Sequence, residues 1–177
     1  EPSRGEFRCL STQQGYSPFT CWSRGLAWAI YGFAEAHVFT GDAEFLQAAE
    51  RCARYYLRHA PGPGVPFWDF GAPGIPDEPL DSSAAAIACS GLQILAGRRG
   101  DSKAAAEYRR GAARILETLL SDRFLARDPL EQGLLLHGTY HRPRGWGVDA
   151  SVLWGDYFLL EAIERLLLGD PEGSREG

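Results

Sequence analysis

Residues 20–39, TCWSRGLAWAIYGFAEAHVF, decide the fold. Leu26, Ala27, Trp28, Ala29, Ile30, Tyr31, Gly32, Phe33 and Ala34 leave almost no polar face. A helix that is apolar all round has to be buried on all sides. Residues 81–96, DSSAAAIACSGLQILA, repeat the pattern, and residues 149–167, DASVLWGDYFLLEAIERLL, repeat it again. Helices of a second kind lie between them. In residues 42–58, Glu44, Gln47, Arg51, Arg54 and Arg58 recur at steps of three and four, opposite Phe45, Ala48, Ala49, Cys52, Ala53 and Tyr56. Residues 102–120 do the same, with Lys103, Glu107, Arg110, Arg114 and Glu117 outside. These are amphipathic surface helices.

Buried and surface helices in alternation predict two concentric layers, as in an α/α barrel. A simple bundle would make every helix amphipathic. The buried helices begin near residues 20, 81 and 149, and three of them make only about half of a closed ring. The expected fold is therefore all-α, a partial (α/α) barrel over residues 1–168. A polar tail, residues 169–177 (GDPEGSREG), is expected to be disordered.

The connections sort into two rims. Short turns, Thr40-Gly41 and residues 97–101, place a glycine after one helix and an Asp or Ser at the next N-cap. Long connections, residues 60–80 and 121–148, occupy the other rim, where loops of this length more often carry function. The buried helices all start on that rim. Arg24 and Trp28, four residues apart, share a helix face there. A cation in the first turn opposes the helix dipole, so it calls for an anionic partner. Two partners fit: an acidic sugar, its carboxylate on Arg24 and its ring on Trp28, or a loop acid such as Asp77 with Trp28 as core. Asp81 and Asp149 read as N-caps, and Asp69 as a tie for the long loop ahead of a place in the pocket lining. His137 and His141, with Arg142, Arg144 and Trp146, form a second cluster. Gly138 and Pro143 place it on a loop, which favours rim contacts with a substrate over metal binding.

Composition narrows the function classes. The 177 residues carry a net charge of −5 with the two signs interspersed, so no basic stripe points to nucleic acid. No apolar run has membrane-spanning length, and the first residues are too polar for a signal peptide. Cys9, Cys21, Cys52 and Cys89 show no CxxC pair, which suggests free thiols in a reducing, cytoplasmic setting. The chain has no methionine, which is expected of a processed product or of a piece of something longer.

Three stretches carry a family resemblance: QQGYSPFTCWSRGLAWAIYGF, VPFWDFGAPGIPDEPLDSSAAAIACSGL and LLLHGTYHRPRGWGVDASVLWGDYFLLEAI. They resemble the C-terminal half of the unsaturated glucuronyl hydrolases, glycoside hydrolase family 88, and span nearly the whole chain. The resemblance implies a six-hairpin α/α barrel and a hydrolase of polysaccharide degradation. Such enzymes release the unsaturated uronic acid from lyase-generated oligosaccharides by hydrating its C4=C5 double bond, without metal or cofactor. It also implies substrate contacts at Gln14, Thr20, Arg24 and Trp28. From the loop cluster itself, His141, Arg142 and Trp146 are weaker rim candidates. The family's catalytic aspartates are expected in an N-terminal half that this chain lacks. The chain alone is then expected to be inactive, with the missing half or a second chain needed to close the barrel. A non-catalytic sugar-acid-binding or scaffold remnant is the alternative. A self-complementing dimer using Asp81 or Asp149 as acid is a third.

Overall fold

The computed structural model describes residues 3–169. The polar tail beyond Gly169 lies outside the described residues. Five α-helices form in the expected alternation: α1 (Ser23–Thr40), α2 (Ala43–His59), α3 (Ser82–Arg98), α4 (Lys103–Leu119) and α5 (Leu153–Leu168). Local chemistry sets their ends. Gly41 adopts the left-handed conformation that closes α1, with its N–H returning to the His37 carbonyl. Asp42 caps α2 by accepting from Glu44 N at 2.8 Å, and Ser102 caps α4 by accepting from Ala105 N at 3.1 Å.

Helix α3 is the centre. It packs on α1 along one side and α5 along the other, while α2 backs α1 and α4 backs α3. Its residues from Ser82 to Ala96 are buried on every face but for the half-buried Gln93. The expectation of burial on all sides therefore holds for α3 only. Phe33 and Phe39 on α1, and Leu153, Tyr157 and Leu160 on α5, are exposed, because no described element covers those sides. Trp154 differs: it is half-buried and its indole N–H donates to Ser83. None of these helices is long and apolar enough to cross a membrane.

The approach to α5 corrects the expected helix start. Residues Gly138–His141 (β1) and Trp146–Ala150 (β2) form an antiparallel hairpin around a single 3₁₀ turn, Arg142–Arg144. Asp149 lies in β2 at φ 55°, so it caps nothing, and α5 begins only at Leu153. His141 likewise stands on a strand, not in a loop. Backbone groups that would have started a helix are spent on the pairing Gly138↔Ala150 and Thr139↔Val148. Gly138 permits that pairing, since a Cβ there would meet the Ala150 carbonyl oxygen at 2.8 Å.

Candidate functional site

The long loops and the starts of α1 and α3 meet on one rim, stitched by backbone. Ser23 N donates to the Trp68 carbonyl, Ser82 N to the His137 carbonyl, and Asp81 N to the Pro66 carbonyl. Asp69, fully buried, ties the N-terminal loop to this frame. Its carboxylate accepts from Tyr16 N (2.9 Å), the Thr20 hydroxyl (3.0 Å) and Gly71 N (2.8 Å). That is the structural role expected for it. Thr20 also donates to the Ser17 carbonyl, so its hydroxyl is part of the loop's own scaffold.

Arg24 is the hub. It is 2% exposed, and both terminal nitrogens are engaged. Nη1 pairs with Asp81 Oδ2 at 2.7 Å and donates to the Thr139 carbonyl; Nη2 donates to Gln14 Oε1 at 2.7 Å and to the Tyr140 carbonyl at 2.5 Å. The guanidinium also lies over the rings of Trp22 (4.9 Å) and Trp154 (5.2 Å). The anion that the first turn of α1 requires is thus Asp81, not Asp77. Asp81 caps α3 as expected, accepting from Ala84 N at 3.3 Å, and accepts from Ser83 Oγ at 2.5 Å as well. Burial pushes the Asp81 carboxyl up and the Arg24 guanidinium down, and in each case the partner's charge opposes the shift. Buried and fully engaged, Asp81 is not placed to hand a proton to a ligand.

The sequence reading missed this pair because it sought the acid in the loop. One signal was available. An Arg at the foot of an apolar helix needs a buried acid, and Asp81 heads a stretch, Ser82 to Gly97, without a charged residue.

Of the remaining candidates only Gln14 bonds to the hub. Gln14 is half-buried beside Arg24, and Trp28 is 36% exposed with its edge against Phe158 at 5.2 Å. His141 is 4% exposed, and neither ring nitrogen has a hydrogen-bond partner among the described residues. Its ring lies against Tyr140 and Trp146. Arg142 reaches Glu78 at 3.4 Å, and Arg144 lies over Trp146 at 4.8 Å. His137 and Asp149 meet at 2.5 Å, both at positive φ, and border a cleft of about 600 Å³ with Asp77, Glu78, Arg123 and Arg142. His137 and His141 therefore belong to different settings, and they do not converge on a common centre. The cysteines are free thiols. Burial pushes the Cys21 thiol up to about 11, which disfavours the thiolate there.

No protein-family model matches the chain. Individual relatives do. The chain is 38% identical over 170 residues to the unsaturated glucuronyl hydrolase of Bacillus sp. (strain GL1), covering 96% of this chain and 45% of that protein. It is 37% identical over 171 residues to the unsaturated chondroitin disaccharide hydrolase of Streptococcus pyogenes serotype M1, covering 93% and 42%. Among solved structures, the unsaturated glucuronyl hydrolase from Bacillus sp. GL1, responsible for the degradation of glycosaminoglycan, superposes with a TM-score of 0.88 at 36% identity, over 94% of this chain and 44% of that one. A mutant of the Streptococcus agalactiae enzyme complexed with dGlcA-GalNAc6S gives 0.83 at 30% identity, with the same coverage. The chain spans somewhat under half the length of the curated relatives it matches. Along that span it is a relative of the unsaturated glucuronyl hydrolases and has the architecture of part of their α/α barrel.

Proposed function

We propose that, as part of an unsaturated glucuronyl hydrolase, this chain supplies the C-terminal half of the substrate face and not the proton donor. The substrate is an oligosaccharide ending in a 4,5-unsaturated uronic acid, the product of a polysaccharide lyase. In the reaction a proton adds to C4 and a water oxygen to C5. The resulting hemiketal opens and frees the neighbouring sugar.

One observation carries the reading: a buried cationic hub, Arg24, stands on the long-loop rim bonded to Gln14, with Trp28 one turn further along α1. Gln14 and the exposed part of Trp28 would meet the uronate directly, while Thr20 and Arg24 would hold the uronate carboxylate. Arg24 and Thr20 are already bonded inside the protein, so their share of that contact would come with an exchange of partners. His141, Arg142 and Trp146 would extend the face toward the leaving sugar.

Three acids of this rim support a proton donor elsewhere. Asp69 and Asp81 are buried and bonded, and Asp149 is held by His137. The complementary half would bring the catalytic aspartates and cover the open faces of α1 and α5. Four free thiols favour a cytoplasmic site of action.

The test is absorbance near 235 nm with an unsaturated chondroitin disaccharide, read for the chain alone and with the complementary half of a relative supplied. Turnover only in the second case is expected. Turnover by the chain alone would place the acid within it. Ligand binding without turnover in either case would favour a sugar-acid-binding remnant.

A further inference from the structure

We propose that Asp81 is a positioning residue of this rim, acting through Arg24 on groups that Asp81 itself does not touch. The inference rests on the uronate reading above and deepens it.

Asp81 does more than a cap requires. An N-cap needs one acceptor oxygen for one backbone N–H, and Asn serves as well as Asp. Here Oδ1 takes Ser83 Oγ (2.5 Å), Ala84 N (3.3 Å) and Thr139 N (3.4 Å), while Oδ2 is given to Arg24 at 2.7 Å. What Asp adds over Asn is a negative charge, in a place where water does not reach either partner.

That charge is what keeps a guanidinium in the first turn of α1, where the helix dipole opposes it. Held there, Arg24 binds Gln14 from the N-terminal loop and the carbonyls of Thr139 and Tyr140 from β1. The same carboxylate reaches the foot of α5, because Ser83 Oγ donates to it and accepts from Trp154 Nε1 at 3.1 Å. One buried carboxylate thus sets the relative placement of Gln14, Tyr140 and Trp154, which come from three separate segments. Among the described residues no neighbouring acid repeats this function: the Asp69 carboxylate engages Tyr16, Thr20 and Gly71.

The test uses the chain joined to its complementary half, with Asp81→Asn, Arg24→Lys and the double variant. Asn preserves the cap and removes the charge; Lys preserves the charge and removes the fork. We expect Asp81→Asn to raise KM at least tenfold while kcat falls far less, since ground-state placement is lost rather than the proton donor. The double variant is expected to be no worse than the worse single one, because both act on one contact. A readout independent of turnover is the NMR signal of the Arg24 guanidinium protons. It is expected to be resolved in the wild type and to collapse in Asp81→Asn.

An unchanged KM with unchanged guanidinium signals would leave Asp81 as a cap and overturn the proposal, as would strictly multiplicative effects in the double variant. Should Asp81→Asn fail to fold, Ser83→Ala, which removes one hydrogen bond to the same carboxylate, is expected to raise KM several-fold. No change there would overturn the proposal equally. Absence of both turnover and ligand binding in the wild type would instead remove the uronate reading, and the guanidinium signals would then decide whether Asp81 holds Arg24.

Discussion

At the residue scale, two buried or half-buried acids show how burial and pairing divide the work. Asp81 and Arg24 are sealed from water, so their charges depend on each other, and loss of one would strand the other. Glu50 is a milder case. It accepts from Arg99 Nε at 2.6 Å and Nη2 at 2.7 Å, and these bonds hold its carboxyl below the usual range. A depressed carboxyl stabilises the fold above its unfolded pKa, and that contribution is lost as pH falls through the folded value. Glu50→Gln is therefore expected to lower stability by about 1 kcal/mol at neutral pH, a modest figure because Arg99 is partly exposed. The gap between variant and wild type should close on acidification below about pH 4.3, the ordinary range of a free Glu. Urea midpoints from pH 3 to 7 give the comparison; a gap independent of pH would assign the loss to packing.

At the element scale, α1 and α3 approach so closely that one position admits only glycine. A Cβ on Gly91 would lie 2.8 Å from Ile30 Cγ2 and 3.0 Å from the backbone nitrogen of Tyr31, which cannot swing aside. Gly32, exposed on α1, would meet nothing within 4 Å. Alanine at both positions makes a matched pair. Gly91→Ala should destabilise by about 1–2 kcal/mol, overpacking outweighing the gain in helix propensity. Gly32→Ala should stabilise by up to about 1 kcal/mol. Thermal melts of equal midpoint for the two variants would show that α1 and α3 part easily. The hairpin before α5 makes the complementary point. Its pairing, and not any local helix signal, fixes where α5 begins.

At the scale of the whole molecule, the layers are incomplete among the described residues. Helices α1 and α3 each have an outer partner, α2 and α4, while α5 has none. Leu153, Tyr157 and Leu160 continue to Leu167 as a stripe of exposed apolar side chains, 54–82% open. An apolar groove of about 580 Å³ between α3, α4 and α5, lined by Ala96, Ala112, Leu116 and Leu166, adjoins it. Surfaces of this kind associate. The chain alone is expected to self-associate with rising concentration, and Leu160→Lys with Leu167→Lys to reduce that association without loss of helix content. Sedimentation of the two forms is the measurement, and a wild type that stays monomeric at high concentration would count against an open half-ring.

The sequence by itself determined the alternation of inner and outer helices, the caps of α2 and α4 and the rim that carries the candidate site. These follow from hydrophobic period and short-range capping, which depend only on residues a few positions apart. Tertiary structure alone decided the partner of Arg24, the strand that displaced the start of α5 and the open sides of α1 and α5. Asp81 lies 57 positions from Arg24 and Thr139 lies 115, and no local pattern records which buried acid or carbonyl will meet a buried cation once three helices converge.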